Sequence, residues 1–398
     1  MDFKPLLDAL RLICDLLPEN DDVLIHAGNQ QYDARRLTLA LLNHGRSPNS
    51  IADNLWHETV FLRSRVSKLS KFLVAEGEPS LFDITSSSGR IAPTDGVTWR
   101  DAAVQFSQSK ELMRIMLEWA TKVFEDLLFP IRRYGPISAK VKSSSSTRKS
   151  NSSRDSNVRF RILARDGSVS PVGRAIDESA PEDIQDSYPD RATKLEAAHI
   201  MPFMLSKYST MQTLLSMFAG TSMEAILGRN GINGPSNIFC TDHDTHLKFD
   251  QFFIGIEYLN GQYWLRKVNP RKARGPFISH CQDGEEVIFG LGPQGRAIDL
   301  PDGELCNIHL AIGNVLHASG AGEVINKVLQ DEEDYDDGIV EDVASAARIS
   351  AFALRMALKR VQAVDPNESS PGDDGCSNKL QEARKGVLRV RDNSQIDS

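Results

Sequence analysis

The chain has 398 residues, of which 40% are hydrophobic and 25% are charged, and its net charge is −8. This length exceeds one compact domain and suits two domains with flexible connections. The mixed charges are ordinary for a water-soluble protein, and the acidic excess argues against wrapping nucleic acid with the whole surface, because phosphates are neutralised by Lys and Arg.

Cysteine spacing and hydropathy exclude further classes of protein. The five Cys residues lie far apart without a C-x-x-C pair, so neither a disulfide framework nor a zinc finger is predicted. No apolar stretch reaches the roughly 18 residues of a membrane helix, and the N-terminus lacks a charged segment followed by an apolar core. We therefore expect an intracellular protein, nuclear or cytoplasmic, without membrane association.

Residues 1–134 are predicted to form a helical domain. Apolar residues recur at three- and four-residue steps in segments 6–17, 51–75 and 110–131. Between the last two segments, residues 86–95 are rich in Ser, Gly and Pro and are typical of a loop. No catalytic motif occurs here, so we expect these helices to serve packing or to bind a protein partner.

Residues 135–157 are predicted to be a disordered linker. Serine dominates this segment and hardly any apolar residue is present, so folding would bury too little surface to offset the loss of chain entropy. The interleaved Lys and Arg residues leave a second interpretation open, in which the segment is a phosphate-binding arm or a nuclear-import patch.

Residues 158–330 are predicted to form one mixed domain of helices and strands. Its expected elements are a strand or helix start at 158–165, a short buried strand at 195–202, a helix at 209–227, a hairpin at 254–268, a strand at 286–291 and a helix at 305–329. Asn260-Gly261 favours a type I′ turn in the hairpin. Residues 331–364 follow as an acidic run and a helix from 339, and residues 365–398 as a disordered polar tail.

Three short motifs in the mixed domain carry residues suited to catalysis. They read Ala-Ala-His-Ile-Met-Pro at 197–202, Gly-Pro-Ser-Asn at 234–237 and His-Leu-Lys-Phe-Asp at 246–250. His246 and Asp250 are four residues apart, so on a helix they lie one turn apart on the same face and can share one divalent cation. Asn237 precedes His246 by nine residues, the length of a loop or strand leading into that helix.

These motifs resemble those of the HNH (His-Asn-His) endonuclease family, and in particular a subgroup with A-A-H-I-x-P and H-x-x-F-D motifs that is common in fungal proteins. The resemblance extends to Gly231-Ile232-Asn233 and to Leu300-Pro301 before the His309 helix, and covers about residues 158–329. It implies an α+β fold in which a ββα-metal core, a β-hairpin and a helix gripping one metal ion, lies within the mixed domain and follows the helical N-terminal domain.

The resemblance also implies a role for each motif residue. His199 is expected to be the general base that activates water, and Asn237 to tie down the loop that holds His199. His246 and Asp250 are expected to bind one divalent ion, Mg²⁺, Mn²⁺ or Zn²⁺. The implied reaction is hydrolysis of nucleic-acid phosphodiester bonds, with DNA favoured as the substrate, leaving 5′-phosphate and 3′-hydroxyl ends.

The sequence departs from the family pattern at two places. Ala198 stands where many members have an Asp or His metal ligand, and no Cys is present near the domain start at 167–173. Glu196 is the nearest carboxylate and a possible additional metal ligand, provided that the backbone brings it within reach. These departures favour an alternative, a catalytically inactive HNH-fold scaffold that binds nucleic acid or a protein partner. Retention of all four motif residues favours the enzyme.

Other residues near the motifs are given structural interpretations. His243 is expected in a solvated turn before the helix, and Cys240 is expected to be a small core residue. His309 and His317 are expected to pack on one helix face. Phe249, Phe252 and Phe253 are expected to anchor the metal-binding helix in the core.

Overall fold

The structure is a computed structural model that describes most of the chain. The described residues are 4–16, 24–58, 82–83, 92–93, 98–108, 110–134, 152–187, 189–202, 205, 209–227, 231–336, 348 and 351–356. They combine helices with small two- and three-stranded sheets.

The helices, in chain order, are α1 Lys4–Leu16, α2 Ala34–His44, α3 Pro48–Trp56, α4 Trp99–Gln108, α5 Lys110–Val123, α6 Phe129–Tyr134, α7 Ser152–Asp166, α8 Glu182–Ser187, α9 Ser209–Ala219, α10 Met223–Leu227, α11 His243–Asp250, α12 Gly303–Ser319 and α13 Ala321–Asp336. The strands are β1 Leu24–Ala27, β2 Gln30–Asp33, β3 Phe82–Asp83, β4 Ala92–Pro93, β5 Ile176–Asp177, β6 Ala192–Thr193, β7 Glu196–His199, β8 Ile238–Thr241, β9 Gly255–Leu259, β10 Gln262–Arg266 and β11 Glu286–Val287. No helix among the described residues is long and apolar enough to cross a bilayer.

The chain forms two compact units. Unit 1 comprises Met1–Phe129, Tyr208–Gly220 and Ala318–Ser398, and unit 2 comprises Pro130–Lys207 and Thr221–His317. All three sequence motifs therefore lie in unit 2.

Unit 1 is built mainly from helices that bury one apolar stripe each. In α1, Leu10, Ile13 and Cys14 are buried, as the apolar repeat at 6–17 predicts. The helix predicted at 110–131 is present as α5, a π-helical turn at Phe124–Leu128 and α6. The helix predicted at 51–75 is present in α3, while residues 59–75 lie outside the described residues.

The centre of unit 2 is the antiparallel pair β7–β8, in which Glu196 lies opposite Thr241 and His199 opposite Ile238. The pair is supported by an apolar cluster on which α7 packs. This cluster consists of Ile162, Leu163, Ala175, Leu195, Ile238 and Cys240. Helix α11 begins two residues after β8 ends, so a strand pair and one following helix form a continuous local unit.

The predicted hairpin is confirmed as β9–β10, to which β11 adds a third strand. Asn260 and Gly261 have φ values of 54° and 85°, the left-handed conformations that a type I′ turn requires at both central positions. The strand predicted at 286–291 ends at Val287 instead, and Gly290 has a φ of 78° three residues later.

Two predicted helices are each interrupted by a glycine. The segment 209–227 divides into α9 and α10 at Gly220, whose φ is 74°, and 305–329 divides into α12 and α13 at Gly320, whose φ is 79°. A left-handed residue ends the helical hydrogen bonding at these points, which apolar periodicity does not reveal.

The segments around the predicted linker and tail are described in part. Helix α7 begins at Ser152, inside the segment expected to be a linker, and residues 135–151 lie outside the described residues. Helix α13 continues through the start of the acidic run to Asp336. Of the helix predicted at 339–364, residues 348 and 351–356 are helical, and the rest, with the tail, lies outside the described residues.

Candidate functional site

Helix α11 presents its polar residues to β7. The carboxylate of Asp242 caps the helix by accepting a hydrogen bond from Thr245 N at 2.9 Å, so His243 falls in the first turn. The prediction that His243 precedes the helix is wrong for this reason, whereas its side chain is 59% exposed, in agreement with the predicted solvated position. His246 and Asp250 follow one turn apart on the same face, as their spacing predicts.

The imidazole of His246 lies between two carboxylates. Oε2 of Glu196 is 3.0 Å from Nδ1 of His246, and Oδ2 of Asp250 is 3.4 Å from Nε2 of the same ring. The side chains of His246 and Asp250 are each only 12% exposed. The Glu196 carboxylate also lies 3.2 Å from Nδ1 of His243, so strand β7 and helix α11 are joined by three ionisable side chains.

Burial and mutual charge shift the pKa values of this group. The hydrogen bond with His246 is the main cause that lowers the pKa of Glu196 to about 2. Burial raises the pKa of Asp250 to about 6, against the opposing charges of His246 and Arg132. Burial alone would lower the pKa of His246, but the hydrogen bond to Glu196 and the charge of Asp250 outweigh it and raise the pKa.

Asn237 is fully buried and ties together two loops. Its Oδ1 accepts a hydrogen bond from Met201 N at 2.8 Å, while its Nδ2 donates to Met201 O at 3.0 Å and to Ile232 O at 2.8 Å. Its carbonyl oxygen accepts from Ile200 N at 2.8 Å. These bonds fix the backbone immediately after His199.

His199 ends strand β7, and its Nε2 lies 3.1 Å from Oδ1 of Asn233. This contact orients the imidazole at the end of β7. No sequence motif predicts a role for Asn233. Its place in the Gly231–Asn233 turn is visible in the sequence, but its contact with His199 depends on the fold.

One partly buried and one fully buried ion pair hold the backbone on both sides of these residues. Arg159 pairs with Asp177, and both side chains form hydrogen bonds with the backbone of Leu195. Arg159 Nε donates to Leu195 O at 2.6 Å, and Leu195 N donates to Asp177 Oδ2 at 3.0 Å. Leu195 directly precedes Glu196. The pair therefore fixes the start of β7.

The second pair, Arg165 with Asp166, is fully buried and fixes the turn that carries Asn237. Nη2 of Arg165 lies 2.6 Å from Oδ2 of Asp166. The guanidinium donates to Pro235 O at 2.8 Å and to Ile238 O at 2.9 Å, on either side of Asn237. The sequence pattern predicts neither ion pair, because an Arg in a helix pattern gives no indication of burial.

The remaining structural interpretations divide into confirmed and wrong. Cys240, Phe249 and Phe252 are buried, and His309 packs in the core, as predicted, whereas Phe253 is only partly buried and is not the core anchor that was expected. His317 is exposed, so the prediction that it packs with His309 is wrong. Eight residues at about 3.6 residues per turn place the two side chains roughly 80° apart, on different faces of α12.

The separation of His246 and Asp250 has consequences for metal binding. An N and an O ligand that each lie about 2.1 Å from one cation are roughly 3.0–3.4 Å apart, for angles between octahedral and tetrahedral. The observed 3.4 Å between Nε2 and Oδ2 fits that range. Within the described part of the chain, no group of three or more His, Cys, Asp or Glu side chains is placed to hold a metal ion.

Comparison with known protein families identifies the region that contains this site. Residues 179–257 match the HNH endonuclease family. Glu196, His199, Asn237, His246 and Asp250 all lie inside the matched HNH domain. The match indicates a nuclease and a nucleic-acid substrate in general terms. No curated protein and no solved structure matched the chain.

Proposed function

We propose that the chain is a metal-dependent HNH endonuclease that hydrolyses phosphodiester bonds with His199 as the general base. The observation that carries this proposal is the placement of the His246 imidazole between Glu196 and Asp250, within the matched HNH domain. In this assignment β7, β8 and α11 form the ββα-metal core, with the segment between β7 and β8 as an insertion that includes α9 and α10.

The donor set of the site fits a divalent cation. Nε2 of His246 and Oδ2 of Asp250 would hold the ion, and the buried Asp250 carboxylate, whose pKa is raised to about 6, is a group that a nearby cation stabilises as an anion. When bound, a divalent cation supplies polarisation of the scissile phosphate and neutralises charge on the leaving oxygen. DNA is the favoured substrate.

Glu196 acts on His246 rather than on the metal in this proposal. Its carboxylate lies at Nδ1, on the opposite edge of the ring from Asp250. A carboxylate that accepts the second ring proton of a metal-bound His fixes the tautomer and the ring orientation. Glu196 is therefore a positioning residue, which replaces the additional-ligand role that the sequence left open for it.

His199 takes the proton of the attacking water in the proposed reaction. The contact of its Nε2 with Oδ1 of Asn233 at 3.1 Å orients the imidazole, which is the kind of side chain that can accept a proton from water. Asn237 holds the backbone at Ile200 and Met201, which limits movement of the imidazole. A base that is already oriented loses less entropy when the substrate binds.

A second candidate function is a catalytically inactive HNH-fold scaffold that binds nucleic acid or a protein. The observation that favours it is Ala198, which is fully buried and offers no ligand where many family members have one. The buried guanidinium of Arg132 also lowers the pKa of Asp250, and so supplies part of the positive charge that a metal would otherwise provide.

Nicking of supercoiled plasmid by the purified full-length chain, with Mg²⁺ or Mn²⁺, tests the two candidates. We expect nicking that chelator abolishes and that both His199→Ala and His246→Ala lose. His317→Ala is the matched control, because its imidazole is exposed and lies outside the site, and it should retain activity. Failure of the wild type with every metal and nucleic acid tried would favour the scaffold. Nicking that survives in His199→Ala would refute the base.

A further inference from the structure

A strongly basic loop follows β10 in unit 2, in a protein whose net charge is −8. Its cationic residues are Arg266, Lys267, Arg271, Lys272 and Arg274, and the sequence contains no Asp or Glu from Tyr258 to Gln282. We call residues 266–275 the basic loop.

Most of these charges are directed to solvent. Arg271, Lys272 and Arg274 are exposed, and no described carboxylate forms an ion pair with Arg271 or Arg274. Arg266 differs, because its Nε donates to Glu257 Oε2 at 2.8 Å and its charge is compensated within the sheet. The exposed positive charge is therefore concentrated at 271–274.

The backbone of the basic loop is held in one conformation. Asn269 N donates to Phe253 O at 3.0 Å, and Asn269 O accepts from Lys272 N at 3.0 Å and from Ala273 N at 2.8 Å. Ala273 is buried between the two exposed arginines and anchors the loop to the core. A fixed backbone lowers the entropy that the cationic side chains lose when they bind a ligand.

The basic loop runs along helix α11. It meets Phe253 just beyond the C-terminal end of the helix, and Lys272 Nζ lies 5.3 Å from the centre of that ring. At the other end Gly275 lies against Asp244 in the first turn, where an added Cβ would be 3.5 Å from Asp244 Cβ. Lys248 lies on the same flank one turn after Asp244, so the charges of these two helix residues cancel.

This flank is on the opposite side of α11 from the His246 and Asp250 face. The separation is about one helix diameter, roughly 10 Å. The loop extends along about 12 Å of the helix axis. In duplex DNA that length corresponds to about three phosphates of one strand, and the major groove is also about 12 Å wide. Helix α11 therefore separates the loop from a bond held at His246, so the loop is placed for phosphates beyond the scissile one.

We propose that the basic loop is the surface on which the HNH domain binds the phosphate backbone of nucleic acid outside the scissile bond. The proposal rests on the proposed function for the position of that bond. The recognised chemistry is a row of phosphodiester anions, and no base is read by this loop. Arg271, Lys272 and Arg274 make the contacts.

The test is binding of a fluorescent DNA duplex and a DNA single strand to the full-length chain in chelator, by anisotropy at about 50 to 200 mM salt. The variant is Arg271→Gln/Lys272→Gln/Arg274→Gln. Removing three phosphate contacts should make binding about tenfold weaker or more and reduce the slope of log affinity against log salt by about two to three.

Two matched variants distinguish binding of DNA at the basic loop from an effect of net charge on DNA affinity. Arg100→Gln/Lys122→Gln/Lys327→Gln changes the net charge by the same amount, at exposed positions of unit 1, and should leave affinity and slope near the wild type. Arg271→Lys/Arg274→Lys keeps the charge and should retain most of the slope. Equal weakening by both triple variants, an unchanged slope in the loop variant, or no binding by the wild type would overturn the proposal.

Because chelator stops metal-dependent cleavage, the result is independent of the proposed enzyme activity. A wild type that binds through the loop but never nicks plasmid would refute the nuclease and leave the surface in place. A wild type that nicks plasmid while the loop variant binds normally would refute the surface alone.

Discussion

The imidazole of His309 stacks flat on the ring of Phe249, with the ring centroids 3.8 Å apart and the planes 1° from parallel. Phe252 covers the imidazole with its own ring at 4.5 Å. Phe249 belongs to α11 and precedes Asp250, so this stack attaches the helix of the candidate site to α12. Among the described residues, Nδ1 of His309 has no hydrogen-bond partner, and burial lowers the pKa of His309 to about 3.

This stack predicts a loss of stability in acid. The folded-state pKa is lowered from the ordinary value of 6.5, so the stabilising contribution of neutral His309 is present above pH 6.5 and is lost as pH falls toward about 3. The loss should amount to several kcal/mol at the acid end. Urea unfolding of the full chain, followed by intrinsic fluorescence at a series of pH values, measures it.

His309→Phe is the control for the acid effect. Phenylalanine keeps the aromatic stack, removes the titrating group and removes the buried unpaired nitrogen. We expect stability at neutral pH equal to the wild type or higher, with a shallower loss below pH 6.5. Parallel loss in the wild type and the variant would show that other groups cause the acid unfolding.

The raised pKa of Asp250 predicts that metal affinity depends on pH. In the metal-free chain, the contribution of Asp250 to stability is present below its ordinary pKa of 3.8 and is lost as pH rises through about 6. A cation competes with that proton, so Mn²⁺ should raise the melting temperature clearly at about pH 7.5 and little at about pH 5. Asp250→Asn should lose the metal-induced rise at both pH values. An equal rise in that variant would place the metal elsewhere.

The contact of Glu196 with Nδ1 of His246 predicts a specific phenotype for Glu196→Gln. Loss of a carboxylate behind a metal-bound His lowers metal affinity about 10- to 100-fold. Excess Mn²⁺ should therefore restore nicking in this variant, whereas His246→Ala should not be restored. The control is Glu224→Gln, an exposed carboxylate of unit 2 in α10, with wild-type metal dependence expected. Loss of nicking that no metal concentration restores would contradict the positioning role.

The sequence predicted the local parts of the site better than their assembly. The four-residue spacing of His246 and Asp250 and the Asn-Gly turn of the hairpin follow from local periodicity, and both are present. The contact of Glu196 with His246 joins residues 50 positions apart, and depends on the register of β7 against β8. No local pattern specifies that register, so Glu196 could only be named as a possible ligand.

The burial of charged side chains and the positions where helices end were predicted least well from local sequence patterns. Arg165 is hidden in the polar side of the helix pattern and yet is fully buried, because Asp166 and three backbone carbonyls satisfy its donors. Gly220 and Gly320 each end a helix whose apolar repeat continues beyond them. Tertiary hydrogen bonds therefore decide the burial of Arg165, and backbone conformation decides where the two helices end.

The buried pair of Arg165 and Asp166 predicts one of the largest stability effects in unit 2. Removing one partner leaves a buried charge without compensation, which costs about 3–5 kcal/mol, so Arg165→Met should strongly destabilise unit 2. The matched control is Arg174→Met, which breaks a pair with Glu285 in which Arg174 is 63% exposed and should cost at most about 1 kcal/mol.

The double variant Arg165→Met/Asp166→Leu separates the pair from the hydrogen bonds to the Asn237 turn. It removes both charges, so it should recover part of the stability lost by Arg165→Met. It cannot restore the donors to Pro235 O and Ile238 O, so any nicking activity should stay low even when the chain is folded. Urea unfolding combined with the plasmid assay measures both effects. Full recovery of activity in the double variant would show that the turn carrying Asn237 does not need the guanidinium.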